Sequence, residues 1–438
     1  MKLLIQGGRV LSPADSLDGE FDVLLENGVV REVAPALALL ADETLDARGQ
    51  IVAPGFIDLH VHLREPGGEP SETLATGLAA AVAGGFTAVC PMPNTRPVND
   101  RADSTRALIE SAAALDLARV FPIAAVSMGS EGQSLTDFRE LVEAGAVAFS
   151  DDGRPVKTAG LMRRALEEAR ALGVAIIDHC EDASLSGHGA INEGAVAARL
   201  GVRGIPTSSE DVCVARDLVL AESTGARLHL AHLSTRLSLE MVRAAKRRGV
   251  PVTCEVTPHH AILTEEAVAE YGTNAKMNPP LRGSQDLEAL VAGLADGTVD
   301  ALATDHAPHA HQLKQQPLAE APFGVIGLET ALGLALTHLV HTGRIPLAQL
   351  VALMSANPAR LVDPSGQRGL GRLRVGGVAD LTVFDPNLEW TYRAAAGRSK
   401  SRNSPFDGWK LKGAATATIV SGKIVYQRSG SAGVSPAR

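Results

Sequence analysis

The sequence predicts an α/β chain: a parallel (β/α)8 TIM barrel carrying a small β-sandwich domain built from both termini. Three observations carry this. From about Ala53 to Leu361, short apolar β-rich runs alternate with Ala/Leu-rich stretches of helical period, eight times over. The two ends instead read as short strands separated by turn signals. Metal-capable polar side chains stand at the C-terminal ends of the inner strands, which is where a barrel places its chemistry.

In chain order, Leu3–Gln6, Asp22–Leu25 and Val29–Val33 are β-rich, with Glu26-Asn27-Gly28 as a hairpin turn. The eight barrel strands are then Phe56–His62, Phe86–Cys90, Val120–Val126, Val147–Ser150, Val174–His179, Leu228–His232, Val250–Glu255 and Ala301–Thr304. Helical stretches lie between them, among them Ser71–Ala83, Ser104–Leu115, Gly160–Ala171 and Leu237–Arg248. Residues 365–438 return to strand patterns, with Asp380–Asp385 alternating polar and apolar and Thr416–Val420, a Ser-Gly-Lys turn, and Ile424–Tyr426 forming a hairpin. Neither end can bury a core alone, so residues 1–52 and 362–438 are expected to form one composite domain beside a barrel of residues 53–361. The small, polar Ser429–Arg438 tail is expected to fray. An open doubly wound sheet is the other strand–helix solution, but no Gly-rich phosphate fingerprint follows the first strand.

Composition narrows the function. The chain has 438 residues, a net charge of −9 and only 3% aromatics, so it lacks the cationic surface and stacking platform of a nucleic-acid binder. Its four cysteines, Cys90, Cys180, Cys213 and Cys254, form no CxxC pair and read as reduced, packing thiols. The apolar run after Met1 is too short for a secretory signal, and Gly77–Val89 is too short to span a bilayer. A cytoplasmic protein with no membrane partner is the expectation.

The histidines carry the chemistry. Residues two apart on a strand share a face, so Asp58, His60 and His62 are expected on one side and Ile57, Leu59 and Val61 on the other. Two imidazoles on an inner face can chelate one metal. The pair alone is a weak signal, since roughly 0.4 such pairs arise by chance in a chain with 13 His. Convergence makes it strong: His179 and His232 end two further strands, Asp151 and Asp152 follow the fourth, and Asp305 follows the eighth. Buried ionisable groups are costly unless a shared cation offsets them. Imidazole and carboxylate without thiolate suit Zn²⁺, with Mn²⁺, Co²⁺ or Fe²⁺ possible. Six candidate ligands exceed the three of a single catalytic zinc, which makes a two-metal site plausible.

The segment Gly55-Phe-Ile-Asp-Leu-His60-Val-His62-Leu-Arg64-Glu-Pro66 resembles the first-strand signature of the amidohydrolase superfamily, and specifically of dihydroorotases. Ala303-Thr-Asp305-His-Ala-Pro-His309, with Lys314 five residues on, resembles the second dihydroorotase signature. Pro91–Thr95, Phe149–Gly153, His179–Asp182, Ala231–Thr235, Thr257–His260, Lys276–Arg282 and Gly327–Thr330 are similar, in order, to segments of the longer, class I members. The resemblance spans nearly the whole chain. It implies the barrel with its small β domain, and interconversion of dihydroorotate and N-carbamoyl-L-aspartate in pyrimidine biosynthesis.

Residue by residue, the resemblance implies one metal on His60 and His62, a second on His179 and His232, and Asp152 between them. Asp305 would contact the first metal and act as general acid and base, with a metal-bridging hydroxide as nucleophile. His62, Arg64, Asn94, Asn278, His309 and the backbone at Phe323-Gly324 would hold the substrate. Asp151 is the alternative bridge if the turn after strand four differs.

Other histidines carry less. His229 is expected to face the helix layer, one of His259 and His260 is a possible support for the metal ligands, and His306 and His311 are expected in solvent. The competing cyclic-amide hydrolases, hydantoinases and allantoinases, typically bridge their metals with a carboxylated Lys after strand four; here the only Lys between residues 100 and 245 is Lys157. An inactive dihydroorotase-like chain serving only as a scaffold for aspartate transcarbamoylase would have lost metal ligands, and all six are present. The resemblance leaves association with that enzyme open, and a symmetric dimer is the default expectation.

Overall fold

The computed structural model describes residues 1–429 and 434–436. Its inner strands occur as expected: Phe56–Val61, Phe86–Pro91, Arg119–Val120 continuing as Ile123–Ala124, Ala148–Phe149, Ala175–Asp178, Arg227–Leu230, Val252–Val256 and Ala301–Leu302. All neighbouring pairs are parallel. The third strand joins the two arcs, pairing the second strand through Arg119–Val120 and the fourth through Ile123–Ala124. The ring closes where Val61 bridges His306 and the His62 N–H donates to the His306 carbonyl at 2.8 Å.

Alternation along each strand divides the core. Ile57, Leu59, Ala88, Cys90, Ala148, Ala175, Ile177, Ala231, Ala301 and Ala303 form the interior cluster. Their neighbours Val89, Phe149, Ile176, Leu230, Cys254 and Leu302 pack outward on helix residues such as Leu78, Leu161, Ala165, Leu218, Leu239 and Leu294. The helices Leu74–Ala83, Ala159–Leu172 and Arg236–Arg247 each begin after a threonine, Thr73, Thr158 and Thr235, whose side chain accepts a first-turn N–H.

The first strand departs from strict alternation. Its pairing with the second strand slips between Asp58 and Val61. Below the slip Ile57 and Leu59 point inward; above it His60 and His62 do, and Val61 joins the outer layer. The expected pairing of Asp58 with the histidines therefore fails. Asp58 instead accepts from the N–H and hydroxyl of Thr304 on the eighth strand, at 3.0 and 2.6 Å.

The ends do build one sheet around one core. Lys2–Ser12 pairs with Leu17–Glu26 on one side and with Glu43–Asp46 and Ile51–Pro54 on the other. Ile51–Pro54 pairs antiparallel with Leu381–Thr391, which joins Lys410–Val420 and then Lys423–Gln427. Leu3, Ile5, Val23, Leu25, Val52, Leu381, Val383 and Ile419 pack together from both ends. The expected frayed tail falls mostly outside the described residues, but Val434–Pro436 pairs with Glu43–Asp46 as a strand.

Candidate active site

Strand ends bring His60, His62, Asp152, His179, His232 and Asp305 to one mouth of the barrel. Asp152 Oδ1 lies 3.3 Å from His60 Nε2, 3.6 Å from His179 Nδ1 and 3.8 Å from His232 Nε2, and its Oδ2 lies 3.6 Å from His62 Nε2. Asp305 Oδ1 lies 3.1 Å from His62 Nε2 and 3.6 Å from His60 Nε2. Two triads have donor atoms within 4.8 Å of one another: His60, His62 and Asp305, and His60, Asp152 and His232. His179 joins the second group through His232, Nδ1 to Nε2 3.0 Å. Asp151 faces away, accepting from the Ser127 N–H at 3.1 Å and from its hydroxyl. The turn thus aims Asp152 and not Asp151 at the histidines. Arg64, His232 and Asp305 have left-handed backbone (φ 60°, 29° and 45°), a strained conformation for these residues that concentrates at functional sites.

Three of the four imidazoles are oriented by a partner on the other nitrogen. His60 Nδ1 donates to Glu255 Oε1 at 2.9 Å, His62 Nδ1 to Asn94 Oδ1 at 3.0 Å, and His179 Nε2 to Glu181 Oε2 at 3.1 Å. That leaves His60 Nε2, His62 Nε2 and His179 Nδ1 turned toward the carboxylates, where a metal ion would accept their lone pairs.

These residues fit a divalent metal. His60 Nε2 and Asp152 Oδ1 are both buried with no hydrogen-bond partner, although they lie side by side. Burial alone would raise Asp305 and Asp152, but the surrounding imidazoles hold both below the usual carboxylate range. Burial alone would lower His179, but Asp152 and Glu181 raise it to about 10, and His60 is raised too, by Asp152, Asp305 and Glu255. Carboxylates that draw protons onto buried imidazoles form a site for positive charge, and a dication satisfies it with all-N/O ligation.

In front of the imidazoles lies a cavity of about 300 Å³ lined by every side chain expected to touch substrate: His62, Arg64, Asn94, Asn278, His309 and Phe323, with Gly324. Arg64 donates through Nε to the Pro308 carbonyl at 3.1 Å and has no carboxylate partner among the described residues. His309 donates Nε2–H to the Phe323 carbonyl at 2.6 Å; burial, then Arg64 and Lys314, push it down to about 3, so it is neutral. Asn94 also donates to Asp152 Oδ2 at 3.2 Å, and Asn278 donates to Glu181 Oε2 at 2.7 Å. Asn278 Nδ2 also lies 3.2 Å from His179 Nε2, so both asparagines adjoin the metal-binding groups as well as the cavity.

Several contributors escape sequence reasoning. Glu255 is fully buried between His60 and His229, its Oε2 3.1 Å from His229 Nε2, and its Oε1 accepts the His232 N–H at 3.3 Å. His229 thus faces the interior, not the helix layer. It lies three residues before His232, an odd spacing that strict alternation would place on opposite faces, and the left-handed turn at His232 breaks that alternation. His306, expected in solvent, is buried against Glu72, Nε2 to Oε2 3.2 Å, while His311 is exposed as expected. His260 sits between Thr257 Oγ1 and the Pro279 carbonyl; His259 is buried with an unpartnered Nε2. Behind His179, Asp178, Cys180, Cys213 and Asp217 gather around Arg216, whose Nε donates to Asp217 at 2.7 Å. Cys180 points away from the metal-binding face, as expected. Only a carboxylate downstream of a strand-end His could have flagged Glu255, and that signal is too common to stand out.

A barrel whose mouth gathers four imidazoles and two carboxylates defines the class: a metal-dependent hydrolase of the amidohydrolase type. A family model described as Dihydro-orotase-like matches residues 49–238. The chain is 52% identical over 428 residues to the dihydroorotase of Citrifermentans bemidjiense, covering 98% of this chain and 100% of that one. It is 51% identical over 430 residues to the dihydroorotase of Syntrophus aciditrophicus, covering 98% and 100%. Among solved structures it is similar to the L-hydantoinase (dihydropyrimidinase) of Arthrobacter aurescens, with TM-score 0.88, 27% identity and coverage of 97% and 96%. The D-hydantoinase of Thermus sp. gives TM-score 0.82 at 27% identity, covering 97% and 95%. The chain belongs to the dihydroorotase family.

Proposed function

We propose that this site catalyses the reversible hydrolysis of (S)-dihydroorotate to N-carbamoyl-L-aspartate, a step of pyrimidine biosynthesis. One observation carries the reading: Arg64, a guanidinium with no carboxylate of its own, faces the same cavity as Asp305 and the imidazoles. A half-buried cation without a carboxylate partner, beside a hydrolytic centre, selects an anionic cyclic amide, which hydantoin is not. The strand-four position adds support. It holds Asp152, whereas Lys157 is exposed five residues on.

His60, His62 and Asp305 would hold one divalent metal, and Asp152, His179 and His232 a second. When bound, a metal of this kind supplies Lewis-acid chemistry: it makes water acidic enough to ionise near neutral pH and polarises a carbonyl. Zinc at two per subunit is our assignment, with Mn²⁺, Co²⁺ or Fe²⁺ as substitutes.

The protein's residues do the rest. Arg64 grips the substrate carboxylate through a planar fork that fixes the ring's orientation. Asn94, Asn278, neutral His309 and the Phe323-Gly324 backbone close around the ring. Asp305, held ionised, takes the proton of the attacking water and returns it to the ring nitrogen. The ring C–N bond breaks, the water oxygen stays in the new side-chain carboxylate, and the nitrogen leaves as the carbamoyl NH2. In the biosynthetic direction the carbamoyl nitrogen attacks that carboxylate, Asp305 carries the proton back, and water departs.

We further propose a cytoplasmic homodimer able to associate with aspartate transcarbamoylase, and a division into residues 53–361 and a domain of 1–52 with 362–438. No helix among the described residues is long and apolar enough to cross a membrane. Assay of purified, metal-analysed protein on dihydroorotate, hydantoin and allantoin tests the function. Turnover of hydantoin without dihydroorotate overturns it.

A further inference from the structure

Three carbonyls from two segments converge on one buried amine. Lys314 ends the short helix His311–Lys314, and its Nζ donates to Pro322 O at 2.9 Å, Gly324 O at 3.0 Å and Lys276 O at 3.3 Å. The residue is 6% exposed and has no carboxylate partner among the described residues. Burying an ammonium without a counter-anion is costly, and a neutral side chain would fill the space more cheaply. Burial and then Lys276 push Lys314 down to about 7, and what its amine meets in the interior is the three carbonyls. Lys276 lies two residues before Asn278, and Pro322 and Gly324 flank Phe323. The amine therefore binds the Asn278 loop to the Phe323-Gly324 segment, and the Gly324 N–H donates to Lys276 O at 2.9 Å across the same seam.

A second side chain completes the joint from the far end of the chain. Asn403 is 3% exposed, and its Nδ2 donates to Ala307 O and Gly324 O, both at 3.0 Å, while its Oδ1 accepts the His309 N–H at 3.1 Å. Its carbonyl accepts the Ile326 N–H at 2.9 Å. Gly324 O thus receives both Lys314 and Asn403. The backbone there is left-handed (φ +130°), and a Cβ would come within 2.6 Å of Ala307 Cβ, so the segment is seated tightly and only glycine fits. Neither Lys314 nor Asn403 lines the cavity, yet together they hold the backbone of the segments that carry Asn278, His309 and Phe323-Gly324 into its lining.

We propose that Lys314 and Asn403 are positioning residues that set substrate affinity by clamping this part of the lining at a fixed distance from the strand ends. The proposal rests on the function proposed above, because it assigns the lining to substrate. Lys314→Met and Asn403→Leu each keep side-chain volume and remove the donors. Both are expected to raise KM for dihydroorotate about tenfold or more, with kcat within about threefold and metal content unchanged. Hydrogen exchange across residues 307–326 should also accelerate about tenfold or more in both variants, measured without substrate. Folded, metal-loaded variants with the wild-type KM and wild-type exchange would overturn the clamp. If wild-type protein fails to turn over dihydroorotate, the function reading falls, while the exchange comparison still decides the clamp.

Discussion

Glu255 Oε1 stands 2.9 Å from His60 Nδ1, so a fully buried carboxylate on the seventh strand fixes the tautomer of a metal-binding imidazole on the first. Its other oxygen is held by His229, and burial's tendency to raise it is outweighed by His229 and His60, which bring it down to about 2. A carboxylate so placed raises the basicity of His60 Nε2 and locks its ring. Glu255→Gln keeps the shape and loses the charge. Metal affinity or activity is expected to fall about 10- to 100-fold, the usual cost of losing such a partner. Competitive metal titration checks this, and wild-type affinity with wild-type turnover would remove Glu255 from the site.

Asp305 has two roles that a single substitution separates. Asp305→Asn retains an oxygen donor beside His60 and His62 but cannot accept a proton. Turnover is expected to fall by about 10²–10⁴-fold or more, with metal stoichiometry preserved. Parallel metal analysis and assay decide it, and full activity in this variant would exclude Asp305 as the acid–base group.

Arg64→Lys tests the carboxylate grip. A lysine keeps the charge but offers no planar fork, and hydrogen bonds to charged groups contribute about 1.5–3 kcal/mol. KM is therefore expected to rise about ten- to hundredfold, with a smaller change in kcat. An unchanged KM would contradict the grip.

His309 gives a pH signature. Burial, Arg64 and Lys314 hold it down to about 3, so it stays neutral throughout pH 5–8 and its titration contributes no acid limb there. The acid limbs of kcat/KM for wild-type protein and for His309→Asn should coincide. A limb near pH 6 that vanishes in the variant would show that His309 titrates in the working range.

The strand ends were the legible part of this site. A residue at the C-terminal end of a barrel strand has nowhere to point but the mouth or the helix layer, so periodicity and residue type locate His60, His179, His232 and Asp305. The slip between Asp58 and Val61 was not legible, because a bulge depends on how the neighbouring strand pairs. It moved Asp58 away from the metal-binding face and onto Thr304. Glu255 and His229 were missed for a related reason: each is defined by its contact with the other across a strand boundary. His306 was misplaced because its buried partner Glu72 lies 234 positions away. Lys314 and Asn403 act on backbone carbonyls, and sequence gives no sign of where a carbonyl points.

The central claim is that Arg64 makes a hydrolytic barrel selective for a ring bearing a carboxylate. The ratio of kcat/KM for dihydroorotate to that for dihydrouracil, the same ring without the carboxylate, measures this directly. The expected ratio is about 10³ or more in the wild type, since a site built around a charged partner rejects the ligand that lacks it. It should collapse by about tenfold or more in Arg64→Met. Comparable turnover of the two rings by wild-type protein, or an unchanged ratio in Arg64→Met, would contradict the account.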